Sequence, residues 1–307
     1  MRILQLTDIH IGGDYDGKFK CKLNFLSTLR YALDSMEPYD MIVITGDLAD
    51  KNHRVNYEWI AKILQSANIP YIVLPGNHDD VQCMREVFGE HTVPECDYFI
   101  KYGILFWNNR LDSKPLPDKF DTDVKTAFCH YPVYDIPHTF MRQHALPNAK
   151  ELGDKLKLLG IKNVFCGHFH WGFDSHTEQV YVHVMPATQC QLDPNTPDCT
   201  PTNDLPVFAS IALNDNATVQ AWCTSAVYPM YMLNVLNDAI ASIGPYFAML
   251  NSGIEALHHV VSETAGDIAE KTNEWCPWSI DTIEKMRTTV SELHNLIEII
   301  ENKENNS

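Results

Sequence analysis

At 307 residues, 45% hydrophobic and 21% charged, the chain has an ordinary globular composition and can bury one large core or two smaller ones. Its formal net charge of −17 disfavours a long nucleic-acid partner, which needs basic surface to displace counterions, but leaves a small anionic substrate open if bound metal reverses the sign locally. Nine cysteines, an odd number without a CxxC pair, suggest neither a zinc knuckle nor a disulfide framework; with no signal-peptide pattern at the start, reduced thiols and a cytoplasmic location are expected.

Residues 3–6 read as a short buried strand that runs into Thr7-Asp8-Ile9-His10. Alternation along a strand then places Asp8 and His10 on the same side. Leu26, Leu29, Leu33 and Met36 have helical spacing, predicting a helix over 23–36. The run Met41-Ile42-Val43-Ile44, bounded by Gly46-Asp47, predicts a strand buried on both faces. Asp47 then sits at the carboxyl end of a central strand, where open α/β sheets gather their ligands. A buried carboxylate is costly unless its lost hydration is replaced, and a metal ion replaces it most fully, so Asp47 is expected to hold metal.

Ile60, Ile63 and Leu64 mark a helix over 57–67, and residues 71–74 a third strand running into Gly76-Asn77-His78-Asp79-Asp80. The pattern so far is β-α-β-α-β, each strand delivering polar residues at its carboxyl end. Strands of a second sheet are expected within 97–108 and over 125–129, the latter ending in His130-Tyr131-Pro132. A helix over 148–160 stops at Gly160, and the strand 163–166 runs into Gly167-His168-Phe169-His170. Segments 180–185, 207–213 and 218–223 read as hairpin-type strands.

The strand-rich part with ligand-type residues ends near Cys223, which bounds a first domain at 1–223, to be read as catalytic if those residues form one site. From 228 to 307 the pattern changes to two helical runs, one through Ile240, Ile243, Phe247 and Leu250, the other through Ile283, Met286, Val290 and Leu293. This predicts an amphipathic helical hairpin whose seams pack internally, onto the core, or against a second copy in a homo-oligomer. The uncharged stretch 239–254 is too short and too polar for a membrane span, so no membrane association is expected.

The strand ends supply Asp8-x-His10, Gly46-Asp47, Gly76-Asn77-His78-Asp79, His130 and Gly167-His168-x-His170. Any one of these alone is an ordinary turn or a solvent-facing histidine; five in order, each after an apolar run, point to one site. Imidazole with carboxylate suits manganese, iron, zinc or cobalt better than calcium or magnesium. Two such ions about 3.5–4 Å apart clamp the attacking and leaving oxygens of an in-line displacement at phosphorus. The remaining histidines, His53, His138 and His144 among them, read as ordinary surface or core residues.

The order D-x-H, GD, GNHD, H, GHxH resembles the calcineurin-like metallophosphoesterases. That resemblance implies an α/β fold, a two-sheet αββα sandwich flanked by helices, with the C-terminal hairpin as an extension. It also implies that Asp8, His10, Asp47 and His170 hold one ion, and that Asp47, Asn77, His130 and His168 hold the other. The nucleophile would be a hydroxide shared by the ions, while Asn77 and His78 meet the phosphate and His78 serves the leaving alkoxide as catalytic acid. Tyr57-Glu58-Trp59, Arg85 with Phe88, and Pro186-Ala187-Thr188-Gln189-Cys190-Gln191 further resemble bacterial class III 3′,5′-cyclic-nucleotide phosphodiesterases over roughly residues 1–223. Two departures stand where substrate choice could be set. Tyr131 replaces a second histidine, and the family's Pro-Ser-Thr-Cys reads Pro-Ala-Thr-Gln-Cys. The expected activity is hydrolysis of a small phosphodiester, foremost a 3′,5′-cyclic nucleotide. The alternatives are a cyclic-oligonucleotide hydrolase, a phosphomonoesterase, a DNA-repair-type nuclease, or a binding module that keeps the fold without the chemistry.

Overall fold

The computed structural model describes residues 1–13, 21–35, 38–177, 179–202 and 207–213. The expected strand over 218–223, the helical hairpin and its assembly role lie outside these residues. From the N-terminus, β1 (Arg2–Leu6), α1 (Cys21–Ser35), β2 (Met41–Thr45), α2 (His53–Ser66) and β3 (Tyr71–Leu74) form the expected alternating run. The three strands pair in parallel, and all five residues of β2 are buried. Its odd and even positions therefore face two different apolar layers.

A short helix that the periodicity does not reveal, α3 (Val81–Phe88), follows the Gly76–Asp80 loop. At eight residues it offers barely two turns of pattern, with only Met84 and Phe88 buried. The start is fixed instead by Asp80, whose carboxylate accepts from the Cys83 backbone N–H at 3.0 Å.

The second sheet begins with the antiparallel pair β4 (Tyr98–Lys101) and β5 (Ile104–Trp107), then takes β6 (Thr126–Phe128). After α4 (Ala149–Leu158) come β7 (Asn163–Cys166), β8 (Phe173–His176) and β9 (Tyr181–Val184), giving the order β4-β5-β6-β7-β9-β8. Strand β8 has no apolar signature because it lies at the sheet edge and its alternate residues are exposed. The segment read as another hairpin strand, 207–213, behaves differently. Its core, β10 (Ala209–Ala212), returns to the first sheet and pairs antiparallel with β1, giving the order β10-β1-β2-β3. The apolar pattern of β10 is the same for either partner, so only the tertiary path decides between them.

The two sheets share an apolar layer. Ile3, Met41, Val43, Ile72, Leu74 and Ile211 from the first meet Ile104, Phe106, Phe128 and Phe165 from the second. Across the second sheet this layer is an aromatic ladder in strand register: Phe99 pairs with Phe106, Phe106 with Phe128, Phe128 with Phe165, and Phe165 with His183. Ring centroids along it are 5.1, 5.7, 5.0 and 4.7 Å apart, within the range of favourable offset stacking. The opposite face of that sheet, including Leu105, Val164 and Val182, packs against Leu156 of α4. Gly160, in the left-handed region at φ 82°, ends α4 as expected.

Near the site Gln5 Nε2 links the sheets, donating to Thr45 Oγ1 at 2.9 Å and to the Cys166 carbonyl at 3.4 Å. The described cysteines are all free thiols. No helix among the described residues is long and apolar enough to cross a membrane.

Phe128 is fully buried at the centre of the ladder, with a ring on either side. Phe128→Ala is expected to lower stability by about 3–5 kcal/mol through lost burial and a residual cavity, measured by urea unfolding of metal-free protein.

Candidate active site

The loops that follow β1, β2, β3, β6 and β7 converge at one edge of the two sheets. Their backbones leave extended geometry at once. Asp8 (φ 53°), His10 (45°), Asp47 (52°), His168 (71°) and His170 (50°) all lie in the left-handed region. Non-glycine residues enter it at a cost, so backbone strain concentrates on the residues whose side chains converge here. Asp8 and His10 do reach one place, but not by strand alternation. β1 ends at Leu6, and both residues have already turned left-handed.

Two glycines make the convergence sterically feasible. Gly46, at φ 100°, lies so close to the His130 ring and the Gly76 amide that a Cβ would collide with both. A Cβ on Gly167 would strike the Thr7 hydroxyl and the Asp8 carboxylate. In its place the backbone N–H of His168 donates to both Asp8 oxygens, at 3.2 and 3.0 Å.

All the residues singled out from the sequence come together. Asp8 Oδ1 lies 3.4 Å from His170 Nε2, which is 3.0 Å from His10 Nε2. Asp47 Oδ2 lies 3.4 Å from His130 Nε2, which is 3.1 Å from Asn77 Oδ1, and His168 completes that cluster. The same Asp47 oxygen is 3.6 Å from His10 Nε2, so one carboxylate borders both groups. His78 forms a further close trio with His10 and Asp47.

The outer nitrogens of the histidines determine what the inner ones present. His130 Nδ1 donates to the Thr45 carbonyl at 2.7 Å, His170 Nδ1 to Cys190 at 3.0 Å, and His168 Nε2 to His144 at 3.1 Å. His10 Nδ1 is 2.7 Å from Asp50 Oδ1. Carbonyl and carboxylate oxygens only accept, so these outer nitrogens carry the protons. In each neutral ring the inner nitrogen then turns a lone pair to the centre, as metal-ligating histidines do. Two such lone pairs, on His10 and His170, oppose each other at 3.0 Å, which only a cation or a proton makes favourable. The donor set therefore fits divalent metal.

Without metal, protons take that role. Burial pushes His130 down, but Asp47 outweighs it and raises the ring to about 9. Burial likewise opposes a charge on His170, yet Asp8 holds its pKa well above the ordinary value. Burial, reinforced by the charge on His130, drives His168 down to about 3. Burial tends to raise both carboxyls, but His170 brings Asp8 to about 2 and His130 keeps Asp47 well below the usual range.

Sequence reasoning missed the supports. Asp50 is close to two rings at once, His10 Nδ1 at 2.7 Å and His78 Nδ1 at 2.9 Å. Asp79, the last residue of Gly-Asn-His-Asp, accepts from the backbone of Gly76 (2.9 Å), Leu48 (3.0 Å) and Ala49 (3.2 Å) and from the Tyr57 hydroxyl (2.8 Å). It thereby ties the loop after β2 to the loop after β3. Arg110 Nη1 holds the latter from outside through the carbonyls of Gly76 (2.9 Å) and Asp79 (2.8 Å). Asp79 lies within the Gly-Asn-His-Asp motif, whereas Asp50 stands three residues beyond Gly-Asp, where only its nearness to that motif could have pointed to it. The carbonyls of His144 and Cys190 leave none.

A cavity of about 300 Å³ opens over the centre. Its lining combines the polar residues His10, Asp47, Asn77, His78, His168 and His170 with the apolar residues Phe140, Met141, Leu192 and Pro201. Tyr131 also lines it, its ring centroid 4.3 Å from that of His168.

The family model described as calcineurin-like phosphoesterase matches residues 1–172. The chain belongs to that family. As a calcineurin-like phosphoesterase it is a hydrolase acting on phosphoester bonds, in a family that uses divalent metal ions. It is 30% identical over 214 residues to a probable cyclic nucleotide phosphodiesterase of Fibrobacter succinogenes, covering 64% of this chain and 82% of that one. It is 26% identical over 244 residues to the 3′,5′-cyclic adenosine monophosphate phosphodiesterase CpdA of Escherichia coli K12, covering 71% and 87%. Among solved structures, a purple acid phosphatase from yellow lupin shares the fold at TM-score 0.50 and 12% identity, covering 72% of this chain and 52% of that one.

Two outcomes are expected of this phosphoesterase. Asp50→Asn removes the charge that orients His10 and His78, and should lower metal affinity or turnover by roughly 10–100-fold, read by metal titration and initial rates. Metal ligation needs neutral imidazole, whereas His130 and His170 carry protons at pH 7 in the metal-free chain. Adding zinc or manganese at pH 7 should therefore release protons, seen as buffer-dependent heats in calorimetry. For His130 that release should fade as pH rises through about 9.

Proposed function

We propose that this phosphoesterase hydrolyses a small phosphodiester, foremost a 3′,5′-cyclic nucleotide, to the nucleoside monophosphate. The observation that carries the reading is the single Asp47 oxygen bordering two donor groups, 3.6 Å from His10 Nε2 and 3.4 Å from His130 Nε2, beneath an open cavity. The relatives named as cyclic nucleotide phosphodiesterases support the choice of diester.

In this reading Asp8, His10, Asp47 and His170 hold one divalent ion, and Asp47, Asn77, His130 and His168 hold the second. Manganese, iron, zinc or cobalt suits these ligands. Such a pair, when bound, activates water near neutral pH and neutralises charge on the phosphoryl oxygens. The chain's own contribution is to hold the ligands rigidly and to manage the leaving group. Water adds to phosphorus, the P–O3′ bond breaks, and the departing alkoxide needs a proton.

His78 is placed to give it. Its side chain lines the cavity and is 46% exposed, unlike the deeply buried ligands. The hydrogen bond to Asp50 is the main influence that raises its pKa, which favours the protonated ring a general acid needs. Its backbone N–H donates to Asp47 Oδ1 at 2.9 Å, which fixes the loop against the shared carboxylate.

The test is manganese-loaded protein assayed with cyclic AMP and bis(p-nitrophenyl) phosphate. Turnover of the cyclic nucleotide is expected, and absence of turnover of both with metal bound overturns the proposal. Asp47→Asn should weaken both metal sites and abolish measurable turnover. His78→Ala should retain metal by elemental analysis while slowing hydrolysis by roughly 10²–10⁴-fold.

A further inference from the structure

Gln189, Cys190 and Leu192, on one short segment, all line the cavity. At one end, the Gln189 backbone N–H donates to the Asp8 carbonyl at 3.2 Å. Next, the Cys190 carbonyl accepts from His170 Nδ1 at 3.0 Å. At the other end, the Leu192 side chain joins Phe140, Met141 and Pro201 in lining the recess.

Two glutamines on this segment have opposite circumstances. Gln191 is spent on the backbone: its Nε2 donates to the Ala187 carbonyl at 2.6 Å and its Oε1 accepts from the Ala187 N–H at 3.0 Å. Gln189 is 95% buried, as its relative exposure of 5% implies, and it lines the cavity. Yet its side-chain amide has no hydrogen-bond partner among the described residues, and neither amide atom is sealed from solvent. An amide open to the cavity and uncommitted within the protein is available to pair with a ligand there. Its backbone N–H and carbonyl are both engaged, the latter by Asn24 Nδ2 at 3.3 Å, so the residue is firmly anchored.

We infer that Gln189 is the specificity-determining residue of the site, its amide pairing with the edge of a nucleobase lodged against Phe140, Met141 and Leu192. This deepens the cyclic-nucleotide reading and rests on it. A carboxamide presents one acceptor and one donor side by side. Adenine offers the matching N6 donor and N7 acceptor, whereas guanine offers two acceptors, O6 and N7, on the same edge. Guanine sets a donor beside an acceptor on another edge, N1–H and O6, so the base inferred here is one that turns its N7 edge to Gln189, and on that edge adenine is preferred. The position of Gln189 is also where this chain departs from the Pro-Ser-Thr-Cys pattern it otherwise resembles.

The experiment compares kcat/KM for cyclic AMP, cyclic GMP, 7-deaza cyclic AMP and the base-free diester bis(p-nitrophenyl) phosphate, using wild-type and Gln189→Leu protein. In the wild type, cyclic AMP should exceed both cyclic GMP and the 7-deaza analogue by about tenfold or more. Gln189→Leu, with metal content verified, should bring the three nucleotides to within about twofold of one another. Equal wild-type rates for cyclic AMP and cyclic GMP overturn the inference without recourse to any variant. A uniform loss on all four substrates in Gln189→Leu also overturns it, since the contact would then be to the phosphate. Failure of the underlying reading looks different: bis(p-nitrophenyl) phosphate is hydrolysed while no cyclic nucleotide is.

Discussion

The constraint on which the site depends is the placement of Asp47, a fully buried carboxylate at the end of an entirely buried strand, among inward-facing imidazoles. Anionic and lone-pair donors do not assemble in a low-dielectric interior without positive charge to organise them. The surrounding structure supplies that charge in either of two ways. In the metal-free chain protons reside on His130 and His170, drawn there by Asp47 and Asp8 against the penalty of burial. With metal the same lone pairs become ligands, because each outer ring nitrogen is already committed to a carbonyl or a carboxylate. The site is thus preorganised for a cation, and exchanging protons for metal needs little rearrangement of the rings.

The strain and the packing follow from that placement. Left-handed backbone at five ligand-type residues persists only where the surroundings over-determine it. Asp79 supplies one such restraint by gathering the backbone N–H groups of two loops. Arg110 supplies another from the outer side. The aromatic ladder supplies a third at longer range. It holds β6 and β7 in register and packs them against the first sheet, so the loops carrying His130 and His168 meet those carrying Asp8 and Asp47. Burial of Asp79 itself has a consequence. Desolvation and the nearby Asp47 raise its pKa, while the N–H groups of Gly76 and Leu48 and the Tyr57 hydroxyl that it gathers oppose the shift.

Much of this was legible in the sequence because buried parallel strands have a plain signature. The apolar run ending in Gly46-Asp47 located β2, and similar runs before Asn77, His130 and His168 located the other ligand-bearing ends. The glycines were visible as motif members, but their reason is visible only in space, where the His130 ring and the Asp8 carboxylate occupy the volume of a Cβ. What stayed hidden was of three kinds. Short or edge elements such as α3 and β8 carry too little periodic pattern to register. The partner of β10 depends on tertiary path alone. Supports that act through backbone carbonyls, at His144 and Cys190, leave no trace in residue identity. Asp8 and His10 were placed together correctly for an incorrect reason, since positive φ rather than strand alternation brings them to one centre.

Chemistry and selectivity occupy different parts of the cavity. The ligand cluster is built from groups that any phosphoester could meet, so it does not distinguish a monoester from a diester or one base from another. The rest of the lining can, because Phe140, Met141 and Leu192 favour a flat apolar group while Gln189 adds a directional donor and acceptor to the same cavity. A binding difference there affects kcat/KM only if the contact persists into the transition state. Gln189 meets that condition structurally: its backbone is fastened to the strand-end segment that carries Asp8, and its neighbour Cys190 fixes the His170 ring. A base held by that amide is therefore registered against the reacting phosphorus through a short, rigid stretch of chain. Recognition of the base and positioning at the centre are coupled by this segment.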